Sequence, residues 1–308
     1  MPPTRYDAAP AFSSSLLAWF FVVVWGSGYL ATRIGLGYAP PFTFLVLRYS
    51  FGVVALAAML TVSRRRQPLR WPDSGRQLLH IVVAGLLMHA FNLGGSHYAQ
   101  YLGMSAGITA LVLAAQPLLT AVAVSALRHE RLARLQWVGV ALGLAGVAIV
   151  VWHKIDTRTM SWSAVGAALF ALAAITAGTL YQRAYCHGVD LRTAGIIQFA
   201  SSLALLVPLA VGVEGFPLRF GWPLPVAIAY LVIFASILAV NALHTLMRRG
   251  EATRVTSLLY LPPIVAVGLE WLLFSVRPSA LTAVGIAITC AGVALCAHQR
   301  PAQQAESA

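Results

Sequence analysis

The sequence predicts an all-α polytopic membrane protein, and three observations carry that prediction. Of its 308 residues 59% are hydrophobic and only 10% charged, whereas soluble domains carry roughly 25% charged residues. The apolar residues fall into ten runs, at 15–34, 41–62, 78–98, 104–127, 135–152, 162–182, 193–213, 223–246, 254–275 and 280–297, each near the 20 or so residues a spanning helix needs. The alternating strands of a membrane barrel are absent from the pattern, and helices satisfy every backbone group internally.

The charge pattern narrows the partners. A formal charge of +12 and a pI near 10.4 would suit nucleic acid. However, the basic residues sit in short clusters between apolar runs and build no folded basic face, so no nucleic acid is expected. Cys186, Cys290 and Cys296 lie in or beside apolar runs and have no disulfide or metal spacing, and no cofactor or metal is expected. The polar tail 1–14 precedes an apolar run that reads as a retained first helix, because further hydrophobic segments follow it.

Loop charges set the orientation. With the N-terminus inside, fifteen Arg residues fall on the cytoplasmic side and five basic residues, Arg33, Lys154, Arg158, Arg219 and Arg277, on the other. Both termini are therefore expected in the cytoplasm.

The second half repeats the first. At an offset of 146 positions "VGVALGLAGVAIV" (138–150) meets "VGIAITCAGVALC" (284–296) with seven of thirteen residues identical, and Pro117 meets Pro263 in the same register. The expected organisation is a tail (1–14), a first five-helix repeat (15–152), a periplasmic linker (153–161), a second five-helix repeat (162–297) and a C-terminal tail (298–308). Because five is odd, the copies cross the membrane in opposite senses. Such inverted repeats are characteristic of secondary transporters, which hold a site near the midplane and rock around it.

Helical phase sorts the polar residues into stripes. Trp25, Tyr29 and Thr32 share a face of the first segment, and His89, Asn92, Ser96 and Gln100 one of the third. Ser105, Thr109, Gln116 and Thr120 share a face of the fourth. Asn241, His244, Thr245 and Arg248 group on the eighth, and Thr256, Tyr260, Pro263 and Glu270 on the ninth. Polar stripes should face other helices or water rather than lipid, so segments one, three, four, eight and nine are expected around a central cavity. Segments five and ten, rich in Ala, Val and Gly, are expected at the periphery.

The order and spacing of several motifs resemble the drug/metabolite transporter superfamily, specifically its EamA-type members, over nearly the whole chain. They are "WGSGYLATR" (25–33), Arg48, Pro117 to Glu130 with "QWVGVALGLAGV" (136–147), "YLPPIVAVGLEWLLF" (260–274) and "GIAITCAGVAL" (285–295). The resemblance implies ten helices, both termini cytoplasmic, and passage of small metabolites, often by export. The chain departs from it at Val276, where the family carries a second glutamate.

The residues expected to meet substrate are Trp25, Tyr29, Arg48, His89, Asn92, Ser96, Tyr98, Tyr101, Gln116, Asn241, His244, Tyr260 and Glu270. Aromatic rings would hold flat or cationic groups, and the amides would orient them. Arg48 should find a partner or line the cavity, since a charge at a helix centre costs about 2.5–3.5 kcal/mol. Glu270 has three readings: a cation partner, a proton site, or an anchor near the outer interface. Glu130 reads as a solvated partner of Arg128, Arg131 or Arg134. His89, His97 and His244 could carry protons. Pro117 and Pro263, read as mid-helix prolines, would free carbonyls and act as hinges.

No enzymatic signature competes: "HERLA" (129–133) lacks the second histidine of a zincin, and no nucleotide-binding loop occurs. The expected function is export of amino acids or related metabolites by alternating access across a bacterial cytoplasmic membrane, without cofactor. The expected partners are lipid, a small-molecule substrate and a coupling proton, with the chain a monomer or homodimer. The alternative is efflux of cationic compounds through Glu270.

Overall fold

The computed structural model describes residues 11–63, 68–128, 132–248 and 260–298. Among these residues every regular element is helical: α1 (Ala11–Leu36), α2 (Pro41–Ser63), α3 (Gly75–Gly85), α4 (Asn92–Tyr101), α5 (Ala106–Leu113), α6 (Gln116–Arg128), α7 (Arg134–Asp156), α8 (Trp162–Tyr185), α9 (Leu191–Gly212), α10 (Pro223–Ala229), α11 (Ala239–Arg248), α12 (Pro262–Phe274) and α13 (Ala280–His298). Two π-helical segments, π1 (Leu86–Phe91) and π2 (Tyr230–Leu238), join α3 to α4 and α10 to α11. Glu130, Thr256, residues 1–10 and residues 299–308 lie outside the described residues, as does the side chain of His244, while residues 11–14 of the expected N-terminal tail belong to α1.

Among the described residues eight helical stretches are long and apolar enough to cross a membrane, and α12 and much of α13 form two shorter apolar helices. Their starts follow from local chemistry. Ser74, Ser105 and Ser161 each accept the backbone N–H three residues on, and Asp190 accepts that of Arg192, which satisfies donors a helix start leaves over. The α4–α5 turn closes through Gly103 at φ 98°, a left-handed conformation that suits a residue without Cβ. The outer surface carries Trp19, Val54, Phe170, Val211 and Leu272, all exposed, as a lipid-facing surface requires. Trp152, Trp162 and Trp222 are exposed at helix ends, where amphipathic rings suit the headgroup region.

The tightest helix crossing joins α7 to α13, with residue numbers rising along one as they fall along the other. A Cβ added at Gly139 would stand 2.6 Å from the Gly292 carbonyl oxygen, and one at Gly146 would stand 2.6 Å from that of Gly285. Small residues at these points let the two backbones touch. The offset of 146 exchanges the two glycine pairs, so the contact is self-complementary. Leu118, Val140, Val150 and Val293 pack beside it in the largest apolar core. α1 lies near the middle of the molecule, against α5, α11, α12 and π2, and α9 packs on α2, α3 and π1.

The two prolines occupy a different place from the one the sequence suggested. The fourth span is interrupted at Ala114–Ala115, and Pro117 is the second residue of α6. Pro262 and Pro263 open α12 directly after Tyr260–Leu261. Both prolines thus stand in a first turn, where no N–H is needed, rather than in mid-helix.

Candidate functional site

Among the described residues two buried charges distinguish the interior. The first is Glu270, 3% exposed, near the end of α12. Its carboxylate accepts from the Arg33 guanidinium and from the backbone N–H groups of Ala106 (3.1 Å) and Gly107 (3.0 Å). Those two amides open α5, so the carboxylate sits on the positive end of a helix. Arg33 also lies over the Phe274 ring, 4.3 Å from its centroid. Glu270 thus meets a cation of the chain itself and joins α12 to α1 and to α5. Sequence reasoning counted Arg33 only as a loop charge and so missed the pair. Glu214 makes a similar junction, receiving the N–H groups of Phe42 (2.9 Å) and Thr43 (2.8 Å) and the Thr43 hydroxyl (2.8 Å) at the start of α2.

The second is Arg48, eight residues into α2 and 8% exposed, about 10 Å along the helix from Pro41. Its Nη2 donates to Ser236 Oγ at 3.3 Å, while Nε has no acceptor. Among the described residues no carboxylate pairs with it. The next residue on α2, Tyr49, belongs to a group of aromatic and imidazole rings. Tyr49 lies 4.9 Å from Phe199 and 5.9 Å from His89, and His89 lies edge-on to Phe199 at 5.0 Å. His89 and His97 are both within electrostatic reach of the guanidinium. Three further buried atoms here have no hydrogen-bond partner in the protein: Tyr49 Oη, Asn92 Oδ1 and His97 Nε2.

The π segments explain how this cluster is assembled. His89 sits in π1, and Ser236 sits in π2, its hydroxyl bonded 3.0 Å back to the Leu231 carbonyl five residues earlier. Such widened turns re-aim side chains and recur at functional sites. Beyond His89 a polar track continues: His89 Nε2 meets Gln198 Oε1 at 3.3 Å, and Gln198 Nε2 donates to Gln182 Oε1 at 3.2 Å. Gln116 donates to Thr179 at 2.9 Å. Thr179, Gln182 and Gln198, on α8 and α9, escaped sequence reasoning. Their signal was short: Thr179 and Gln182 stand three residues apart in a small-residue helix, and Gln198 precedes Ser201 and Ser202.

The other expected residues scatter. Ser96 is buried, bonded to the Leu93 carbonyl and to His97. Tyr29 packs against Leu30, Ala106 and Ala266. Tyr260 is buried and its carbonyl accepts from Cys290. Trp25, Tyr98, Tyr101 and Asn241 are exposed, Tyr98 stacking on Phe42 at 5.9 Å. The expected cavity among segments one, three, four, eight and nine is not matched by the two described cavities, each of about 410 Å³. One lies beside Trp71, Ser74, Leu78 and Ile197. The other opens between Phe42, Phe91, Gly94, Tyr98, Phe170 and Leu206. The polar interior draws on π1, α4, α6 and π2, which belong to three of those segments, and on α2, α8 and α9.

The family model of the EamA-like transporter family matches twice, over residues 12–152 and 162–297. An inner membrane transporter of Escherichia coli K12, YedA, itself described as uncharacterized, is 30% identical over 251 residues, 80% of this chain and 78% of its own. A Salmonella typhimurium protein named "Probable amino-acid metabolite efflux pump" is 25% identical over 286 residues, 90% of this chain and 92% of its own. A solved crystal structure superposes with a TM-score of 0.65 at 21% identity, covering 92% of this chain and 97% of that one, a likeness of fold. The chain is a multi-pass transporter of the bacterial inner membrane, and it belongs to the EamA-like transporter family.

Proposed function

We propose that the chain exports amino acids or related small metabolites by alternating access. In this reading ten membrane helices form two inverted five-helix units, 15–152 and 162–297, with both termini in the cytoplasm and Pro117 and Pro263 at paired hinges. The observation that carries it is the recurrence of irregular features at one offset. Moving Ala114–Ala115 and Pro117 by 146 positions gives Tyr260–Leu261 and Pro263, and moving π1 gives 232–237, inside π2. Regular helices would recur in any membrane bundle, but paired interruptions are what two copies of one unit would produce. The self-complementary glycine crossing is what a two-fold relation between them would give. The relative named as an efflux pump supports the substrate class.

Trp25, Tyr29, Arg48, His89, Asn92, Ser96, Tyr98, Tyr101, Gln116, Asn241, His244, Tyr260 and Glu270 remain the residues proposed to meet the solute at some stage of the cycle. Efflux of cations through Glu270 is less well supported, because Arg33 and the start of α5 already occupy its oxygens. The test is counterflow of labelled amino acids in proteoliposomes containing the purified chain, with and without an imposed pH gradient. Saturable flux without chemical change is expected, and movement of cationic dyes but no amino acid would overturn the reading.

A further inference from the structure

The Arg48 cluster combines features that a purely structural arginine would not need. Arg48 is nine-tenths buried, uncompensated by any carboxylate among the described residues, and held by one neutral hydroxyl at 3.3 Å. Its Nε points to no acceptor, and Tyr49 Oη and His97 Nε2 are also unsatisfied. A buried polar atom with no partner costs about 1–3 kcal/mol, so several together leave this cluster open to a partner from outside the protein. The natural complement of a guanidinium is a planar oxyanion, which it meets through two parallel N–H groups. The neighbouring residue on α2 adds a second specification: Tyr49 packs ring to ring with His89 and Phe199, rings rather than further charges. The chain has nine acidic residues in all, and the buried acid in a span, Glu270, is engaged elsewhere.

We propose that Arg48, supported by Ser236 and His97, is the anion-recognising element of the transport site, and that its ligand is the carboxylate of a small amphipathic solute whose apolar body lies against Tyr49, His89 and Phe199. This rests on the transporter reading and sharpens it: the discriminating feature of the cargo is a negative charge. The site is closed here, so the solute reaches it when the helices part. A guanidinium–carboxylate contact of this kind gives about 10- to 100-fold preference for the acid over its neutral amide.

The test uses the full chain in detergent and in proteoliposomes. Thermal unfolding is followed with sodium phenylacetate, phenylacetamide and sodium chloride at matched ionic strength. In parallel, flux is measured for amino acids and for their carboxamides. Phenylacetate is expected to raise Tm, and phenylacetamide and chloride to leave it unchanged. Amino acids are expected to move at least about tenfold faster than their amides. Arg48→Gln should abolish the phenylacetate shift and erase the acid-over-amide preference, with Arg48→Lys retaining part of both. A structural role would lower acid and amide transport equally and leave their ratio intact.

Equal response to acid and amide, an unaltered preference in Arg48→Gln, or no response to phenylacetate up to about 10 mM, tenfold above a millimolar Kd, would overturn the proposal. A full shift with chloride alone would assign an inorganic anion site and overturn the carboxylate. Failure of the transporter reading looks different: no solute moves, yet the Tm comparison still decides the anion site. If Arg48→Gln does not fold, the same comparisons on the wild type and Arg48→Lys decide.

Discussion

Glu270 and Arg48 are both charges buried within the span region, but their surroundings are opposites. Glu270 receives a guanidinium and two helix-opening amides, and every contact ties one element to another: α12 to α1 and to α5. Arg48 donates to one hydroxyl, and polar atoms buried near it have no partner in the protein. The fully compensated charge reads as a strut and the under-compensated one as a receptor, because stabilising geometry and readiness for a ligand pull the same groups in different directions.

That contrast can be broken by measurement, and the largest effect belongs to the strut. Glu270→Ala leaves Arg33 and the amides of Ala106 and Gly107 without their acceptor. It should lower stability by about 2–4 kcal/mol, chiefly the cost of leaving the two amides without an acceptor, since Arg33 is 36% exposed. Thermal unfolding in detergent reads it, and Glu270→Gln should recover part, since an amide oxygen still accepts an N–H. A loss below that of a surface substitution would demote Glu270 from its role. Next comes the glycine crossing, which involves no charge. Gly146→Val would drive carbon toward the Gly285 carbonyl, which a Cβ alone already approaches to 2.6 Å, and should cost about 1–3 kcal/mol by overpacking. Glu214→Ala removes the acceptor at the start of α2 and should cost about 1–2 kcal/mol.

Asp190 offers a smaller and pH-dependent case. The Arg192 side chain, aided by backbone N–H donors, draws its carboxyl down to about 2 from an ordinary 3.8. Because the folded value is the lower one, its stabilisation is present above the unfolded value and lost as pH falls through the folded one. The Tm difference between wild type and Asp190→Asn should therefore be flat above about pH 5 and shrink from about pH 4 to pH 2. For so peripheral a pair it should stay below about 1 kcal/mol. Arg48→Met provides the change of sign: if Arg48 is poised for a ligand, an apolar side chain of similar length should leave Tm unchanged or raise it. A loss rivalling that of Glu270→Ala would erase the distinction.

The sequence carried the helical class and most of the spans because a run of apolar residues is a direct reading of burial in lipid. It carried the inward face of Asn92 and Ser96 for the same reason. It did not carry the π segments, since a widened turn has no compositional mark, and these segments decide that His89 and Ser236 reach the Arg48 region. Phase arithmetic at 100° per residue fails across them, which is how Ser236 was overlooked. The prolines were misplaced because a break two residues upstream, at Ala114–Ala115 for Pro117 and at Tyr260–Leu261 for Pro263, turns an apparent interior into a helix start. Thr179, Gln182 and Gln198 escaped because isolated polar residues on small-residue helices look like packing until a partner is visible. The part played by Arg33 needed the third dimension: its partner lies 237 positions away.

The widened turns also bear on how much chain length the fold tolerates. Each holds a residue that a regular turn would not need. Deleting one residue inside 230–238 should therefore shorten the helix without turning its far half, whereas the same deletion in the unbroken α7 would swing everything beyond it by about 100°. The shortened chain should still insert and fold, having lost chiefly the tilt that aims Ser236 inward. Single-residue deletion scanning would show two islands of tolerance, one in each half of the molecule.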